Sequence, residues 1–91
     1  MAQLDGSWSV ERVSGLLPPM VGVRKRISGS VGETKVGPLG VPFTVEGLTL
    51  RYRAPLWGLV DQLEPEGTGY RGRAVYRGRE LGRFRMRPVE I

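Results

Sequence analysis

Of the nine carboxylates in this chain of 91 residues, one stands in an apolar frame. Asp61 follows Leu56-Trp57-Gly58-Leu59-Val60, where burial would raise its pKa and suit it to general acid or base work. The blander reading is a strand-end residue that bonds local backbone or pairs with an Arg. Glu33 and the Glu64-Pro65-Glu66 pair read as solvated strand and turn. The chain has no His and no Cys, which removes the commonest general base, the commonest metal ligand, thiolate sites and disulfides. Ser7, Ser9, Ser14, Ser28 and Ser30 therefore have no triad partner, and no motif supports a Ser–Lys pair with Lys25 or Lys35. Gly37-Pro38-Leu39-Gly40 lacks the Lys-Ser/Thr of a phosphate loop. Binding is favoured over catalysis, and neither a metal nor a cofactor is expected.

The 14 basic residues outnumber the 9 acidic ones, giving +5, and 12 of them are Arg. Such a balance invites a nucleic-acid reading. Against it, Tyr70, Tyr76 and Phe84 alternate onto the face opposite Arg71, Arg73, Arg83 and Arg85, so aromatics and bases do not interleave on one surface. An Arg row alone would bind anions weakly, blind to sequence and sensitive to salt. Arg24-Lys25-Arg26 reads as a solvated loop or edge strand.

The elements that must carry these residues are strands. With 14 Gly and 7 Pro, the longest stretch free of both is Ser7 to Ser14, which leaves an ordinary helix nowhere to sit. Turn residues recur every few positions between β-branched and alternating segments. Eight short strands are expected, near Gly6–Val13, Val21–Ser28, Ser30–Val36, Val41–Glu46, Leu48–Arg53, Leu59–Glu64, Gly69–Arg77 and Glu80–Arg87. Gly29, Gly47 and Gly78 mark tight hairpins; Pro18-Pro19, Gly37–Gly40 and Pro55–Gly58 mark wider connections. The period of two gives the faces. Trp8 and Val10, Phe43, Leu50 and Tyr52, Tyr70, Ala74 and Tyr76, and Phe84 and Met86 fall on the core side. In the last hairpin, an odd loop Arg77-Gly78-Arg79 pairs Tyr76 with Glu80, Ala74 with Gly82 and Gly72 with Phe84. It keeps the arginines together outside, at the cost of setting Arg73 opposite Arg83. Glu46, Glu64 or Glu66 could interleave with them; otherwise a bound anion or acidic partner is needed.

Eight meandering strands with one apolar face close most naturally into an up-and-down barrel, so a single all-β domain over residues 1–91 is expected. Asp5-Gly6-Ser7-Trp8-Ser9-Val10 resembles the G-x-W opening of lipocalins and related calycins, a group that includes the fatty-acid-binding proteins. The stretch from Leu48 through Asp61 to Gly78–Arg87 is similar to small bacterial lipocalin-like domains. The resemblance implies a Trp8 that closes the barrel base beneath an Arg of the last strand, here Arg83, Arg85 or Arg87. It also implies a lumen for a small ligand, although the chain is shorter than those families.

The leading functional expectation is binding of a small apolar or amphipathic molecule, an acidic one included, among Trp8, Val10, Phe43, Leu50, Tyr52, Tyr70, Tyr76, Phe84 and Met86. Gly72, Ala74 and Gly82 form a small-residue patch against which a ligand could lie; curvature is the plainer explanation. One alternative is a small isomerase or cyclase with Asp61 or a Tyr as its acid. Another is a module that uses Arg71, Arg73, Arg83 and Arg85 to hold nucleic acid or an acidic protein. Val75 and Leu81, opposite each other on the Arg face, suggest a homodimer contact. With no basic-then-apolar leader and no long apolar run, a cytoplasmic chain without a membrane span is expected.

Overall fold

The computed structural model describes residues 4–17 and 20–89, so Pro18-Pro19 lies outside the described residues. Eight antiparallel strands close into one up-and-down barrel. They are β1 (Gly6–Gly15), β2 (Arg24–Ser28), β3 (Val31–Val36), β4 (Leu39–Glu46), β5 (Thr49–Tyr52), β6 (Leu59–Glu66), β7 (Gly69–Tyr76) and β8 (Arg79–Pro88). Each strand pairs with the next, and β1 pairs with β8 from Trp8–Pro88 to Gly15–Gly82, so no strand is left as an edge. No helix of the described residues is long and apolar enough to cross a membrane.

Alternation decides what lies inside. Trp8, Val10, Ile27, Phe43, Leu50, Tyr52, Leu63, Tyr70, Ala74, Phe84 and Met86 are buried in one cluster. Phe43 meets Tyr52 edge-on at 5.3 Å, and Trp8 meets Tyr70 in the same way at 5.4 Å. The small-residue patch is occupied by the protein itself. A Cβ on Gly72 would strike the Phe84 ring, and one on Gly82 would meet Ser14 O at 2.6 Å and the Leu17 side chain at 2.8 Å. The glycines let core side chains reach the strand backbone, and those side chains fill the patch.

In the last hairpin Gly72–Phe84, Arg73–Arg83 and Ala74–Gly82 pair as the alternation requires. The tip differs from expectation: a bulge between Ala74 and Val75 restores an even loop, Val75 pairs with Glu80, and Tyr76 pairs with Arg79. The turn is Arg77-Gly78, with φ of 49° and 84°. Positive φ at both central residues is what the right-handed twist of a two-residue hairpin demands. Three corrections follow. Tyr76 lies beyond the bulge at the strand end and is 39% exposed, so it is a rim residue and not part of the lining. Val75 and Leu81 form no island, because Leu81 packs against the core. Gly37-Pro38 is a tight connection between β3 and β4.

Candidate functional site

The sequence Val23-Arg24-Lys25-Arg26-Ile27 alternates, and its inner members are Val23, Lys25 and Ile27. Lys25 is therefore not solvated: it is 3% exposed, as is Asp61, which points inward from β6 between Leu59 and Leu63. The two meet across the lumen, Lys25 Nζ to Asp61 Oδ2 at 3.1 Å. Among the described residues Asp61 thus pairs with a lysine and not with an Arg.

Two hydroxyls complete the cluster. Lys25 Nζ donates to Thr34 Oγ1 at 2.7 Å and to Tyr52 OH at 2.6 Å. Tyr52 OH donates to Asp61 Oδ2 at 3.0 Å and lies 2.6 Å from Thr34 Oγ1. All three ammonium protons thus have an acceptor, and no buried side-chain polar atom of the described residues is left unpartnered. The rings of Phe43, Tyr52 and Phe84 surround Nζ, with centroids 5.5, 5.2 and 5.4 Å away. A cation held against aromatic faces gains further electrostatic stabilisation once water is excluded.

Electrostatics fix the protonation of the cluster. Burial, the largest influence on Lys25, would lower its pKa, but the Asp61 carboxylate and hydrogen bonds to Tyr52 and Asp61 outweigh it. The net direction is upward. Burial also pushes Tyr52 up, opposed by Lys25 and reinforced by Asp61. At neutral pH Lys25 is thus an ammonium without a lone pair and Tyr52 a neutral phenol. The cluster holds charge in place, and neither Lys25 nor Tyr52 is in its nucleophilic form.

On the outer wall the Arg face is laced with glutamates. Arg71 pairs with Glu64 and with Glu66, and Arg85 bonds Glu66 at 2.7 Å and Glu11 at 3.1 Å. The facing Arg73 and Arg83 share Glu80, at 3.6 and 3.4 Å. Glu64 and Glu66 interleave as the alternation suggests, whereas Glu46 binds Arg51 instead. Hydrogen bonds from Arg85 to Glu66 and Glu11 hold its guanidinium above the usual range. A depression of about 540 Å³ runs over this face, walled by both signs of charge.

Trp8 departs from the lipocalin-like arrangement. Its indole Nε1 donates to Leu4 O at 2.9 Å, and its ring meets Tyr70. Arg83, Arg85 and Arg87 point outward to Glu80, Glu66 and Glu11, and among the described residues no cation stacks on Trp8. Among the same residues no group of three or more acidic, His or Cys side chains could hold a metal ion.

No protein-family profile, curated protein or solved structure matches this chain. The closed barrel of eight antiparallel strands is consistent with a calycin-like fold.

Proposed function

We propose that this calycin-like barrel binds a small amphipathic molecule, with its apolar body among Phe43, Leu50, Phe84 and Met86 and its polar head at Lys25, Thr34, Tyr52 and Asp61. The observation that carries the reading is the Lys25–Asp61 pair enclosed in an otherwise apolar lumen. Well-packed apolar residues of similar volume usually give a core at least as stable as a buried ion pair, so the pair supports a role besides stability. Its charge balance also refines the ligand. Asp61 already neutralises Lys25, and a further carboxylate would enter a site of low dielectric uncompensated. A head bearing a hydroxyl, carbonyl or amide is favoured over a free acid. The protonated lysine and neutral phenol support retention of a molecule over its turnover.

Phe84 lies over Gly72 and Phe43 over Gly32, so a ligand takes its place by turning these rings aside. Affinity is then reduced by the fraction of molecules in the open arrangement. Titration with a hydrophobic fluorescent probe tests the reading, with a long-chain alcohol and the matching fatty acid as competitors. Saturable binding is expected, displaced better by the alcohol. No saturable binding, with Trp8 emission unchanged, refutes it.

A further inference from the structure

We infer that one end of the barrel docks onto an anionic lipid bilayer, an inference that uses different residues from the lumen and stands without a lumenal ligand. In an up-and-down barrel, connections alternate between ends. The β1–β2, β3–β4, β5–β6 and β7–β8 connections therefore share one end. Among the described residues, seven of the nine large exposed apolar side chains lie in or beside them, with Leu16, Val21, Leu39 and Trp57 exposed at 87, 94, 68 and 64%. Of the other two, Val13 is on the β1 wall and Val31 is at the far end.

Two hydrogen bonds and one shared depression tie neighbouring parts of this rim together. Leu16 N donates to Leu81 O at 2.6 Å, and Arg77 N to Gly58 O at 3.1 Å. Gly22 and Gly37 line one depression with Arg24 and Lys35. The exposed apolar side chains of this rim are spread over four connections and their flanks. A protein partner would need a matching hollow for each, whereas an acyl phase conforms to any projection. Trp beside Arg is also the combination suited to a membrane–water interface.

Charge selects the occupant. By sequence, residues 16–23, 37–38, 53–58 and 77–78 contain no Asp or Glu. Arg24, Lys35, Arg53, Arg77 and Arg79 border the rim, and none takes part in an ion pair among the described residues. On the β7–β8 wall, in contrast, Arg71, Arg73, Arg83, Arg85 and Arg87 are matched by glutamates. Two such ends brought together in a dimer would repel, while an anionic leaflet attracts each cation near it by about 1 kcal/mol, or about five-fold in affinity.

The full chain is sedimented with vesicles of phosphatidylcholine alone and of phosphatidylcholine mixed with phosphatidylserine, with melting curves as the check on folding. Binding to the mixed vesicles is expected, with Trp57 quenched by brominated lipid while buried Trp8 is not. Leu56→Ser with Trp57→Ser abolishes binding. Arg53→Gln with Arg79→Gln weakens it about 25-fold, and Val31→Ser at the far end leaves it unchanged. Four results would overturn the inference: no binding to the anionic vesicles, loss of binding in Val31→Ser, equally strong binding to polyglutamate whether or not Trp57 is present, or a dimer dispersed by the Leu56/Trp57 variant without any vesicle binding.

Discussion

Removing one member of the buried ion pair should be far more damaging than removing both. Lys25→Met leaves the Asp61 carboxylate enclosed, with the Tyr52 hydroxyl at 3.0 Å as its remaining partner in the cluster. Asp61→Leu leaves the ammonium with two neutral acceptors and no countercharge. Breaking a buried pair in this way costs about 3–5 kcal/mol. A domain of this length has about 5–14 kcal/mol in all, so each single variant is left marginal. In Lys25→Met/Asp61→Leu no charge remains in the lumen, and Thr34 and Tyr52, 2.6 Å apart, still satisfy each other. The double variant is expected within about 1 kcal/mol of the parent, giving a coupling of several kcal/mol.

Urea unfolding followed by Trp8 emission measures all four corners of this cycle, and Asp61→Asn serves as a milder corner if the leucine variant does not fold. Effects that add independently would refute the argument, as would a Lys25→Met variant within about 1 kcal/mol of the parent. Either result would mean that the two groups are solvated or apart.

Two further outcomes follow from the same packing. Lys25 and Tyr52 both sit above their ordinary values of 10.5 and 10.0. The folded state therefore keeps protons that the unfolded chain releases, and stability is full below pH 10 and lost above it. The expected slope is about 1.4 kcal/mol per pH unit for each proton. Urea midpoints taken against pH check this, and a decline that begins below about pH 9 would contradict it. Gly72→Ala drives a methyl into the Phe84 ring and should cost about 1–3 kcal/mol. Adding Phe84→Leu should recover part of that loss in thermal melts, and no recovery would show that the strain lies elsewhere.

Much of this architecture is written locally. Turn glycines and the period of two place all eight strands, and the requirement that Arg71, Arg73, Arg83 and Arg85 share a face sets the register of β7 with β8 up to Gly82. The bulge is not legible, because it depends on how Arg77-Gly78 closes the turn. Its effect is to take Tyr76 out of the lining. Lys25 is hidden by composition: flanked by two arginines it looks solvated, although Val23 and Ile27 on either side mark its face as inner. Leu59, Asp61 and Leu63 carry the same signal on β6. Asp61 is already marked by its apolar frame, and Lys25 could have been found by trusting alternation over charge. Their meeting could not, since β2 and β6 face each other only once the barrel has closed.

Closure also explains why the rim escapes a linear reading. Leu16, Leu39 and Trp57 are far apart in the chain, and each alone is an ordinary exposed apolar residue. The up-and-down order brings them together at one end, opposite the end that carries Glu64 and Glu66. The usual distribution is thus partly inverted, with an ion pair inside and apolar tips outside. The ion pair adds little to stability and the apolar tips oppose solubility, and neither is needed to close eight strands. A barrel built only to fold would place apolar residues at both positions 25 and 61 and serine at position 57. The vesicle experiment and the double-variant cycle perturb these departures separately, so a chain that loses vesicle binding but keeps its urea midpoint assigns the rim a role of its own.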